Sequence, residues 1–192
     1  MILRKLFAVV GLFCSSQIVY ADSINIQISD ASARFIYAAE VFGGQFGPTD
    51  FEMGAYFNDD DDTVVHTSLV VRSDSIDNPV FIAIGGRLYY ADIGNAVDQT
   101  PAEVAAIAFG LELSFRPEGL YGAGITASYF VSPSVTTFMD GDRFSEYSLA
   151  LDFNVTQQVG VYLAYRNMST ELDNGTEIEI DDSFILGFSF RF

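Results

Sequence analysis

The one histidine of the chain, His66, lies two residues before Ser68, and both fall on one side of the strand-like segment 63–73. A histidine beside a serine or an acid is the equipment of hydrolysis, and membrane-barrel proteases and phospholipases use it. Spacing assigns His66 no partner, so a hydrogen-bonding role is favoured and no catalytic residue is assigned. Asp59, Asp60, Asp61 and Asp62 make a run of four carboxylates, and Asp140-Gly141-Asp142 and 177–182 add two more acidic clusters. Oxygen ligands at that density suit Ca²⁺ or Mg²⁺, including the ions that bridge lipopolysaccharide. An EF-hand does not fit, because Val64 stands where counting from Asp59 requires glycine. A solvated turn is the default, and no metal or cofactor is assigned.

These residues need a scaffold, and alternation supplies it. From Ser183 onward, Phe184, Leu186, Phe188, Phe190 and Phe192 alternate with Ser183, Ile185, Gly187, Ser189 and Arg191. Successive strand side chains point to opposite faces, so one face is oily and the other small or polar. Ten such residues suit a tilted strand crossing a bilayer, and the final aromatic stripe reads as a signal to outer-membrane barrel-assembly machinery. The same two-faced pattern runs through 159–166, 146–153, 121–129, 106–115 and 80–90, with weaker segments at 63–73 and 51–57. Long connections are expected at 92–103, 132–142 and 170–181, short ones at 74–79, 116–119 and 155–158, with 43–50 periplasmic and 58–62 extracellular. If Asp30-Ala31 is a two-residue turn, Ile28 pairs with Ala33, Ile26 with Phe35 and Ile24 with Tyr37. That gives an all-β, transmembrane, antiparallel up-and-down barrel of ten strands; a single bulged strand over 23–42 would leave nine, which the even-number rule would merge to eight.

Composition agrees. Arg4 and Lys5, an apolar run from Leu6 to Cys14 and small residues ending at Ala21 read as a secretory signal peptide, leaving 22–192 as the barrel domain. Past Ala21 there are no lysines or cysteines, and seven arginines face 26 acids, a net charge of −19. Such a surface excludes nucleic-acid binding, and the missing cysteines exclude a thiol enzyme. Mean hydropathy is +0.26, yet no later apolar run is long enough for a spanning helix. Apolar residues in short alternating segments are what a closed porin-like barrel in a Gram-negative outer membrane requires.

Six of the seven arginines, Arg34, Arg72, Arg87, Arg116, Arg166 and Arg191, fall on lumen-facing positions, with Glu52, Glu112, Glu146 and Asp152 on the same side. A charge facing lipid costs roughly 2–4 kcal/mol near the midplane, so inward placement supports the register. In a narrow barrel the interior is filled by side chains, and charges there need partners.

Gly85-Gly86-Arg87-Leu88-Tyr89-Tyr90-Ala91-Asp92, then Tyr129-Phe130 with Ser132-Pro133, then Asp142-Arg143-Phe144-Ser145-Glu146-Tyr147, then Tyr162-Leu163-Ala164-Tyr165-Arg166 are in order and spacing similar to the YfaZ family of outer-membrane proteins. The resemblance implies an outer-membrane location and brings no catalytic residue or ligand. Three functions stand open: a small structural or interaction barrel with a filled lumen and acidic extracellular loops, a narrow channel for ions or small solutes, and an enzyme acting on lipid or peptide. The expected partners are outer-membrane lipid and lipopolysaccharide, with Ca²⁺ or Mg²⁺ at the acidic loops.

Overall fold

A computed structural model describes residues 23–44, 47–73, 79–97, 100–117, 119–120 and 122–192; the signal-peptide reading lies outside them. Eleven strands form one antiparallel sheet: β1 (Ser23–Ile28), β2 (Ser32–Gly44), β3 (Gly47–Asn58), β4 (Thr63–Arg72), β5 (Val80–Val97), β6 (Thr100–Phe115), β7 (Ala123–Ser132), β8 (Thr137–Met139), β9 (Gly141–Asn154), β10 (Val159–Leu172) and β11 (Glu177–Arg191). β7 and the short β8 both pair with β6, on either side of a 3₁₀ turn at Ser134–Thr136. They act as one interrupted stave, so the tube has ten wall positions.

The tube closes through the seam that alternation points to. β1 pairs with β2 as Ile28↔Ala33, Ile26↔Phe35 and Ile24↔Tyr37, and with β11 as Ile24↔Phe190, Ile26↔Phe188 and Ile28↔Leu186. Every wall segment therefore has a neighbour on both sides, which is how strands satisfy amide groups inside lipid. Phe184, Leu163, Leu151, Leu149, Phe109, Ile84 and Leu88 are all exposed, as a lipid-facing stripe must be. From Phe184 to Phe192 the stripe rises about 21 Å at about 3.4 Å per residue and a tilt of about 40°. Tyr147, Tyr165 and Phe184 stack along its upper border, with ring centroids 6.1 and 5.4 Å apart.

Above that border the strands continue, and here the expected loops give way to wall. β5 runs to Val97 and β6 resumes at Thr100, 132–142 holds β8, and only 173–176 separates β10 from β11. At the lower end β2 and β3 likewise consume most of the segment expected as a loop at 43–50. The reason lies in what the upper side chains face. Along β10, Arg166 and Tyr162 point inward below, whereas Met168, Thr170 and Leu172 are buried above, with Asn167, Ser169 and Glu171 on the outside. Alternation continues but its polarity reverses, so along β10 the upper collar encloses an apolar core and turns polar side chains outward. Val64, Ala91, Ile93, Val104, Phe144, Met168, Leu172 and Ile180 form that core.

Candidate functional site: the buried charge cluster in the lumen

Below the apolar collar, side chains from five strands converge on Glu146 of β9, which is 3% exposed. Arg34 of β2 donates from Nη1 to its Oε1, and Tyr89 of β5 donates to its Oε2. Arg87 Nη1 reaches Oε2 at 3.2 Å, while Arg87 Nη2 meets Glu52 Oε2 at 3.4 Å. Ser68 donates to the same Glu52 oxygen at 3.0 Å. The carboxylate of Glu146 is thus shared by two guanidinium groups and a phenol, the arrangement that lets charge be held away from water. Arg87 also lies 4.0 Å from the Phe130 ring centroid, a cation–π contact that covers its face.

His66 belongs to this cluster as a passive member. Its ring nitrogens face Arg34 Nη2 at 3.1 and 3.3 Å. A guanidinium only donates, so the nitrogen it meets is an acceptor. The Cε1 corner of the imidazole packs on Gly54 of β3, where an added Cβ would come within 2.2 Å of it. Tyr162 uses Gly187 the same way, its ring 2.1 Å from where a Cβ would stand. These two glycines are notches that admit large lumen side chains into a narrow tube.

A second pair closes the seam side. Arg166, 2% exposed, donates from Nε to Asp181 Oδ2 at 2.5 Å and from Nη1 to Gln27 Oε1 at 2.5 Å, under the Tyr56 ring. Ser183 also donates to Asp181, at 2.8 Å. Asp181 reaches this position through a β-bulge opposite Met168 and Ser169, which turns both Ile180 and Asp181 inward. Of the acidic cluster over 177–182, Asp181 is thus drawn inward to a buried guanidinium across the wall.

The ten predicted lumen charges therefore divide. Arg34, Glu52, Arg87 and Glu146 join the central cluster, and Arg166 holds Asp181 on the seam side. Arg72 pairs with Asp50, Arg116 with Asp152, and Arg191 reaches Asn154, all at the lower mouth. Glu112 stands between the two groups. Tyr89, Asp181, Gln27 and Phe130 complete the site; Tyr89 and Phe130 fall within strings that carry the YfaZ resemblance, which gives them no role, and Asp181 and Gln27 fall in none. The Asp59–Asp62 run is also split. Asp62 is buried and accepts from Asn58 Nδ2 and the Gly94 amide, each at 2.9 Å, whereas Asp59, Asp60 and Asp61 remain exposed. Burial pushes the Asp62 carboxyl above the usual range, with those two hydrogen bonds pulling it back. Among the described residues no group of three or more His, Cys, Asp or Glu side chains is placed to hold a metal. Of the four carboxylates at 59–62, Asp62 is thus tied into the turn by Asn58 and Gly94, and the other three lie at the surface.

A closed antiparallel tube with an oily exterior and a charged, side-chain-filled interior defines a β-barrel of outer-membrane type. The chain belongs to the YfaZ family, whose model, described as YfaZ precursor, matches residues 3–192. The comparison with curated proteins gives no match. Among solved structures the chain is similar to the outer membrane channel DcaP of Acinetobacter baumannii, with 11% identity and a TM-score of 0.41 over 93% of this chain. It covers 66% of that channel, just under two thirds, and a likeness at that level carries no activity across.

Proposed function

We propose that this protein is a non-conducting integral outer-membrane barrel of structural or interaction type, exported to the outer membrane of a Gram-negative bacterium. The observation that carries the reading is a double seal: the shared Glu146 cluster, and above it the apolar core around Phe144 and Met168. An ion crossing the first layer would have to displace paired charges, and the second offers it no ligands. Its partners are outer-membrane lipid and lipopolysaccharide along the apolar band and barrel-assembly machinery during insertion. In planar bilayers the full chain is expected to give no resolvable single-channel steps; steady ohmic steps would overturn the reading in favour of a channel.

Hydrolysis is disfavoured by the same geometry. His66 is 5% exposed and its ring nitrogens face the Arg34 cation, which opposes its taking a proton from a nucleophile. His66→Ala is expected to leave any lipid or peptide hydrolysis by the purified protein unchanged. A loss of turnover in a variant that still folds would reinstate the enzyme.

A further inference from the structure

The lower half of the lumen is a polar vestibule. Side-chain exposure falls from 48% at Arg72 and 33% at Arg116 to 26% at Glu52 and 4% at Glu146. Water therefore enters at the lower mouth and stops beneath the Glu146 cluster.

Within the vestibule the charges pair off and leave two remainders. Arg72 holds Asp50, Arg116 holds Asp152, and Arg87 is held between Glu52 and Glu146. Arg191 meets no carboxylate among the described residues; its Nη1 donates only to Asn154 Oδ1, at 3.3 Å. Glu112, half-buried on the lumen face of β6, has neither an ion pair nor a hydrogen bond among them. Arg116 follows Glu112 just past the end of β6, and its partner Asp152 stands two residues from Asn154, the acceptor of Arg191. Both remainders thus belong to one space, a carboxyl group deep inside and a guanidinium at the entrance. Glu112 precedes Arg116 by four residues, about 10 Å deeper after strand rise and tilt.

We propose that this vestibule binds a short zwitterionic, peptide-like solute entering from the lower, periplasmic side. Its ammonium meets Glu112 and its carboxylate meets Arg191. A confined carboxylate without a partner is costly, and an ammonium supplies the missing donors. A guanidinium is the donor best shaped for a carboxylate. Three extended residues reach about 10 Å, matching the depth of Glu112 beneath the mouth where Arg116 and Arg191 stand. The proposal rests on the sealed lumen of the preceding section, since a blind pocket can retain a ligand that a through-pore would pass.

The test is isothermal titration of the refolded full-length protein in detergent with tri-alanine, N-acetyl-tri-alanine and tri-alanine amide. Saturable one-to-one binding is expected for tri-alanine, with at least tenfold weaker binding when either end is blocked. Glu112→Gln removes an unpaired charge, so it should fold normally and lose the response to the free amine. Arg191→Gln should lose the preference for the free carboxylate. Absence of saturable tri-alanine binding, or equal affinity in Glu112→Gln, overturns the proposal. A parallel conductance record separates the two readings: pore current with normal binding defeats only the seal, and silence without binding defeats only the vestibule.

Discussion

Replacing Glu146 with alanine is expected to destabilise the barrel by about 3–5 kcal/mol, the usual result of stripping one member from a buried ionic group. The penalty comes less from lost attraction than from what stays behind. Arg34 and Arg87 would face each other across the lumen without their shared carboxylate, and Tyr89 would lose its acceptor. Arg34 and Arg87 already each have an unpartnered buried Nε, and of the two it is Arg87 that keeps a second carboxylate, Glu52. Urea titration read by the shift between folded and unfolded bands on unheated gels measures the change. The compensated variant carrying Arg34→Met, Arg87→Met and Glu146→Leu should recover most of the loss, because apolar side chains of similar volume substitute for buried ion pairs. A single Glu146→Ala variant as stable as the parent would mean that water reaches the cluster freely.

Truncating Phe144 to alanine should cost about 3–5 kcal/mol, the range for emptying an aromatic site in a packed core. Phe144 is fully buried and stacks on Tyr89 with ring centroids 4.5 Å apart, so it joins the apolar collar to the ionic layer beneath. The same gel assay reports stability. A cost under 1 kcal/mol would show that the collar collapses around the gap or was never packed there.

Much of this architecture is legible in the amino-acid order, for a reason that lies in the solvent. Lipid punishes every misplaced charge, so the outward stripes of β6, β9 and β11 are almost uniformly apolar and fix both register and face. The β1 and β2 pairing is readable from the short turn at Asp30 and Ala31, which leaves one alignment that keeps Ile24, Ile26 and Ile28 on a common side. The upper collar is not readable in that way. There Asn167, Ser169 and Glu171 occupy the outward positions, and a search for an oily stripe ends at Tyr165 although the strand runs on to Leu172. The inward arginines can be predicted because lipid excludes them, but not their partners. Arg34 and Glu146 lie 112 residues apart, and only closure of the tube brings them together. Asp181 escapes notice because a bulge breaks the two-residue period on which the reading depends.

The collar has a consequence for whatever meets the protein from outside. Its chain is already fixed in paired strands, so an antibody or phage fibre docking on it has little conformational freedom to freeze out, unlike one that must tame a floppy loop. The determinants it offers are assembled from staves distant in the chain, among them Arg143 beside Glu171. Binders raised against the intact cylinder should therefore lose their target on denaturation, and short linear fragments should compete poorly for them.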